Sequence, residues 1–113
     1  MACVFCQIVA GERPATIVYE DERAVAFRDI NPQAPIHILI IPREHIDGPA
    51  DAGADNETVI GHLVAVAARV AADEGISAGG YRLVLNQGRN GGQSVFHVHL
   101  HLLGGRRMGW PPG

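Results

Sequence analysis

The chain contains no lysine, and no Asp or Glu occurs after Glu74. Residues 1–74 hold five Arg against twelve acids, a net −7, while residues 75–113 hold four Arg and no acid, a net +4. Any fixed cation must therefore come from Arg, a protonated His or the positive end of a helix. So mild a positive field suits a small anion such as a phosphate and argues against a nucleic-acid polymer, which needs a broader basic face. No apolar run approaches the ~20 residues that span a bilayer. The start, Met1-Ala2-Cys3-Val4-Phe5-Cys6-Gln7, lacks the basic head and long apolar stretch of a secretory signal. The expectation is a cytoplasmic protein with no membrane partner. Cysteine is nearly absent too: only Cys3 and Cys6 occur, spaced C-x-x-C. That spacing fits either a redox pair or half of a zinc site completed by two distant ligands.

What is present in excess is histidine at one place. His97, His99 and His101 alternate with Val98, Leu100 and Leu102. A strand turns successive side chains to opposite faces, so the apolar set can enter a core while the imidazoles form a row, neighbours roughly 6.5 Å apart. A row of three histidines is costly to satisfy by packing alone. Groups with an ordinary pKa near 6.5 suit proton and phosphoryl chemistry or metal ligation. The preceding Gly91-Gly92-Gln93-Ser94 favours phosphate over a catalytic metal. Glycine permits close backbone approach, and Gln93 and Ser94 are neutral donors.

The length fits a single domain, 1–113, with one core. Cys3 to Ala10 reads as one or two helical turns stopped at Gly11, within an N-terminal segment 1–11. Thr16–Tyr19 and Ala24–Phe27 read as a hairpin, and Asp29–Pro35 with its two prolines as a loop. Ile36–Ile41 reads as a central strand halted by Pro42. From Glu57 to about Asp73, apolar Val59, Ile60, Leu63, Val64, Ala67, Val70 and Ala71 recur at helical intervals, with Asp55 or Asn56 to cap the start and Gly75 to end it. Leu83–Leu85 begins another strand before the histidine strand. The whole predicts an α+β fold, an antiparallel sheet of about five strands with one long helix and a short N-terminal helix. The tail 104–113 has no hydrophobic period but holds the only tryptophan, Trp110, which is costly to leave in solvent and should dock on this chain or a partner.

With these residues in view, the chain resembles the histidine triad (HIT) superfamily, whose signature alternates histidines with apolar residues as His97-Val98-His99-Leu100-His101-Leu102-Leu103 does. The likeness extends to Gly91–Ser94, to Asp29-Ile30-Asn31-Pro32-Gln33-Ala34-Pro35, to Ile41-Pro42-Arg43-Glu44-His45-Ile46 and to the Gly-Trp-Pro-Pro-Gly ending at 109–113, which is most similar to the histidine triad nucleotide-binding branch. The resemblance implies a purine nucleoside phosphoramidase or AMP-lysyl hydrolase working through a nucleotidyl-histidine intermediate. His99 would be the nucleophile. His101 would donate to the phosphate or leaving amine, and His97 with His37 would complete a relay.

The nucleotide's phosphate would lie among Asn86, Gly92, Gln93, Ser94, Leu100 and the histidines. Asp29 would accept the ribose hydroxyls, and Phe5, Ile8, Phe27 and Ile30 would enclose the purine. Both Phe residues fit plain core packing equally well. The branch implies a homodimer with sheets joined across the subunit boundary, Trp110 lying near the partner's site. Some members hold structural zinc with a Cys-x-x-Cys pair and two histidines, here Cys3, Cys6, His45 and His97. Free thiols or a disulfide are the alternative for the cysteines. The alternatives for function are a dinucleoside polyphosphate hydrolase or nucleotidyl transferase of a sister branch, and a non-catalytic nucleotide-binding regulator.

Overall fold

The computed structural model describes residues 3–113; Met1 and Ala2, the head of the 1–11 segment, lie outside the described residues. Helix α1 (Val4–Val9) is followed by strands β1 (Ile17–Glu20), β2 (Ala24–Arg28) and β3 (Ile36–Pro42), the long helix α2 (Glu57–Asp73), and strands β4 (Tyr81–Leu85) and β5 (Leu100–Gly104). The sheet order is β1-β2-β3-β5-β4, each neighbouring pair antiparallel, with β3 at its centre. The expected α+β class, five strands and two helices are all found. No helix among the described residues is long and apolar enough to cross a membrane.

The period-2 alternation divides the core between two faces. Ala24, Ala26, Ile38, Ile40, Val98, Leu100 and Leu102 turn towards α2, meeting Leu63, Val66, Ala67, Val70 and Ala71. Val25, Phe27, Leu39 and Ile41 turn the other way, where Phe5 and Ile8 of α1 cover them. Truncating a wholly buried residue such as Leu63 to Ala would cost about 2–5 kcal/mol.

The helix keeps its expected bounds but not its expected stripe in full. Val64 is exposed and Val66 buried, because residue 64 lies about 100° round from Leu63, at the stripe's edge. Nor do side chains cap its start: Asn56 makes no capping hydrogen bond, and a 3-10 turn at Ala54–Asn56 leads directly into the helix. At its end, Gly75 adopts φ +76°, the Ile76 amide reaches the Ala71 carbonyl at 3.0 Å and that of Gly75 reaches Ala72 at 3.1 Å. This 6→1 and 5→2 pair satisfies the last carbonyls, and the left-handed turn is where glycine is cheapest.

The histidine run departs most from expectation. Only His101 lies in a regular strand, since β5 begins at Leu100 and residues 95–97 form a bend. The Val98 amide bonds to the Ile46 carbonyl at 2.8 Å, outside the regular ladder. Val98, Leu100 and Leu102 still share the α2 face, but His97 and His99 are buried as deeply as they are, and the bend fans the three imidazoles towards different neighbours.

Candidate active site

On the α1 face of the sheet lies a cleft of about 380 Å³. Phe5 and Ile8 line it from α1, Phe27 and Leu39 from the sheet, and Ile30 from its rim. Phe5 and Phe27 are 7% and 4% exposed and meet edge-on with centroids 5.6 Å apart. They are thus core residues that also present one side to the cleft, so the two readings of these aromatics are compatible. Its polar end is formed by Asp29, Ser94, His99 and His101.

Backbone groups fix the tautomers of the histidines there. The Nδ1–H of His99 donates to the His97 carbonyl at 2.9 Å. A carbonyl can only accept, so neutral His99 keeps a lone pair on Nε2. On β3, the Gln33 amide donates to Nδ1 of His37 at 3.0 Å. An amide N–H can only donate, so neutral His37 carries its proton on Nε2, which faces Nδ1 of His101 at 2.9 Å. His101 consequently carries its own proton on Nε2. One imidazole is set up as a base or nucleophile and its neighbour, 4.9 Å away between centroids, as a donor.

Burial favours the neutral forms of His101 and His37. Burial, with lesser repulsion from His99 and His37, pushes His101 down to about 4. Burial also lowers His37, against the pull of Asp29, whose Oδ2 lies 3.4 Å from His37 Nε2. Asp29 is further oriented by the Asn31 amide, which donates to its Oδ1 at 2.8 Å.

His97 stands apart from this relay. Its ring Nε2 donates to the Pro42 carbonyl at 2.9 Å, while Nδ1 faces the sulfurs of Cys3 and Cys6, both at 3.5 Å. Among the described hydrogen bonds, the ring of His97 joins none of the other imidazoles, and His97 meets His99 through its backbone carbonyl.

Gln93, expected at the phosphate, makes its hydrogen bonds within the chain. Its side chain is buried and spent within the chain, donating to the Asp47 and Val95 carbonyls at 2.6 and 3.1 Å and accepting from the Gly88 amide at 2.8 Å. It braces the glycine loop, leaving Ser94 as the exposed side-chain donor at the cleft. Gly92, at φ +83°, shapes that turn but does not line the cleft, and Asn86, just past β4, does not line it either. Leu100 turns its side chain into the α2 core. Trp110 is 83% exposed on this chain and does not line the cleft.

The positive C-terminal half does not supply the cleft's cations. Arg82 and Arg106 donate instead to the carbonyls of Gly109 and Gln33, at 2.7 and 3.0 Å. The arginines lining the cleft are Arg13 and Arg28, from the acidic half. Sequence reasoning passed over Arg13, Pro14 and Ala15, which line the cleft after the Gly11 turn. The signal available was only their position beyond a helix that carries three lining residues, Val4, Phe5 and Ile8.

Cys3, Cys6, His45 and His97 offer ligand atoms all within 4.8 Å of one another. Cys6 Sγ lies 3.3 Å from His45 Nδ1, close to the ligand-to-ligand spacing around a tetrahedral ion with bonds of about 2.0–2.3 Å. The remaining ring nitrogens are anchored, His45 Nε2 on Asp47 Oδ1 at 2.7 Å and His97 Nε2 on Pro42, as metal-bound imidazoles require. Burial and the adjacent Cys3 raise the Cys6 thiol, a cost that a bound cation would offset. The donor set fits zinc in a closed four-ligand site.

Comparison with known proteins agrees with this geometry. The family model described as "HIT domain" matches residues 10–108. The chain is 51% identical over 106 residues to a purine nucleoside phosphoramidase of Escherichia coli K12, covering 94% of this chain and 89% of that protein. It is 54% identical over 112 residues to a 14 kDa zinc-binding protein of Zea mays, covering 97% of this chain and 87% of the maize protein. Among solved structures, a HIT family hydrolase from Legionella pneumophila superposes with a TM-score of 0.97 at 53% identity, covering 99% of this chain and 100% of that one.

Proposed function

The chain belongs to the HIT domain family, and from that premise we propose that it is a hydrolase cleaving the P–N bond of purine nucleoside 5′-phosphoramidates. The observation that carries this reading is the opposite tautomer fixation of His99 and His101 at the polar end of one apolar cleft. The name of the E. coli relative supports the substrate class.

In the proposed reaction the purine occupies the apolar part of the cleft and the ribose hydroxyls bond to Asp29. The phosphate lies against His99, His101 and Ser94. His99 Nε2 attacks phosphorus in line with the departing nitrogen, forming an N–P bond as the P–N bond to the amine breaks. The amine leaves neutral, its extra proton delivered through His101 Nε2. That proton enters with the substrate, because a bound anion raises the depressed pKa of the His37–His101 pair. Water then attacks phosphorus, His101 takes its proton, and the nucleoside monophosphate and free His99 are released. The rigid backbone bonds on His99 and His37 contribute mainly alignment, the principal gain available in phosphoryl transfer.

Zinc held by Cys3, Cys6, His45 and His97 would tie the start of α1 to the segment that follows β3 and to the one that leads into β5. It supplies folding stability, since a closed set of four protein ligands leaves no open position for chemistry. The protein is further proposed to act in the cytoplasm as a homodimer, with the free edge of β4 as the place where two sheets join and Trp110 covering the partner's cleft. The test of activity is amine release from a purine nucleoside 5′-phosphoramidate. Turnover that ceases in His99→Ala supports the reading, and its absence in the wild-type chain overturns it.

A further inference from the structure

Resting on the phosphoramidase reading, we propose that Arg13 selects the base, favouring purines with an oxygen at C6, guanine and hypoxanthine, over adenine. Two arginines line the cleft. Arg28 is committed elsewhere: its guanidinium meets both carboxylate oxygens of Glu74, at 2.9 and 3.0 Å. Arg13 is different. Only its Nε is engaged, donating to Gln7 Oε1 at 3.1 Å. No carboxylate pairs with it among the described residues, and its two terminal nitrogens make no hydrogen bond there.

The position of Arg13 decides what those nitrogens meet. The cleft's acceptors and histidines gather at Asp29, Ser94, His99 and His101, where phosphate and ribose are read. Arg13 instead adjoins Pro14 and Ala15 and is tethered to Gln7 of α1, the helix whose Phe5 and Ile8 form the apolar wall. It therefore stands at the base end. Arg13 is exposed, and the tether through Nε restrains its guanidinium while leaving the outer N–H pair without a hydrogen-bond partner among the described residues. A guanidinium presents donors only. O6 and N7 of a 6-oxopurine present two adjacent acceptors that match it as a fork, whereas adenine offers N7 beside an amino donor. The surrounding Phe, Ile, Leu and Val side chains have no polar group with which to tell the two bases apart, so Arg13 is the discriminating element.

The experiment measures binding and turnover separately on the full chain. Calorimetric titration with GMP, IMP and AMP should give wild-type affinity for GMP and IMP about five- to tenfold tighter than for AMP. In Arg13→Met, which keeps bulk but removes every donor, that ratio should collapse towards one, and 7-deaza-GMP should lose part of the wild-type advantage. Equal wild-type affinities, or a ratio unchanged in Arg13→Met, overturn the assignment. Phosphoramidates with one amine and the three bases are then compared for kcat/KM. Discrimination in binding without turnover leaves the role of Arg13 standing and removes the proposed reaction. Turnover without discrimination does the reverse, and a chain that binds none of the three nucleotides refutes both.

Discussion

The ring of His99 donates from Nδ1 to the backbone carbonyl of His97 at 2.9 Å, so the residue whose side chain faces the cysteines also sets the tautomer of the residue facing the cleft. The bend at residues 95–97 makes this possible. In a straight strand, the His97 carbonyl would lie along the ladder, and the His97 ring would stand beside that of His99 instead of reaching Cys3 and Cys6. The Cys/His cluster and the cleft thus share one residue, through different atoms.

Gln93 is expected to matter for folding more than for chemistry. Its amide satisfies two carbonyls and one N–H in a buried position. Gln93→Ala should lower stability by roughly 2–3 kcal/mol by leaving those groups without partners. Urea unfolding read alongside kcat/KM checks this; unaltered stability with a large loss of rate would instead make Gln93 a direct phosphate ligand.

Stability should fall with acid in a defined window. His37 and His101 both have lowered pKa values in the folded chain, His101 at about 4, against about 6.5 when unfolded. Between those values the unfolded chain binds more protons. Stability therefore rises with pH across the window and is lost as pH falls from about 6.5 towards 4. Acid acts on other groups as well, so the comparison is a difference: Tm against pH for the wild type minus that for His101→Asn. The variant should show the shallower slope, and parallel curves would contradict the assigned shift.

About one zinc per chain is expected in reduced protein purified without added metal or chelator, with loss of binding in Cys6→Ser. Chelation should lower Tm more than it lowers the rate of the chemical step, because the site acts through folding. Metal analysis finding none, or a rate that disappears while Tm holds, would contradict a structural site.

Much of the fold was legible in the sequence, because the strands and α2 follow clear periods and Gly75 closes the helix with a left-handed turn. The cleft's apolar wall and its histidines were legible from motif resemblance. The individual duties of the histidines were not. Periodicity predicts one straight row, but the bend before β5 depends on tertiary contacts, among them the bond between Val98 and Ile46. The internal bonds of Gln93 were not legible, because a neutral donor beside glycines looks the same whether it serves a ligand or its own loop. Arg13 was invisible for a similar reason: nothing local distinguishes an arginine at a cleft's mouth from one in solvent.

Removal of residues 108–113 should alter substrate preference more than fold. Trp110 is 83% exposed here, and a segment of Gly and Pro builds no core of its own. Full-length and truncated chains compared on two phosphoramidates differing only in the amine should diverge in kcat/KM ratio, with a dimer in sedimentation. Equal losses on both substrates, or a monomeric full-length chain, would count against the tail's reaching a partner's cleft.

The central claim is that His99 Nε2 becomes bonded to the nucleotide's phosphorus, and mixing the enzyme with an adenosine phosphoramidate for a single turnover, quenching, and weighing the intact protein tests it most directly. The account predicts a transient mass gain of one adenylyl group, mapped to His99. In His99→Ala the adduct should be absent and turnover slowed by at least ~10³-fold, with His101→Ala milder when the leaving amine needs no proton. An unmodified protein at every time point during rapid turnover, or near-normal turnover by His99→Ala, would contradict it.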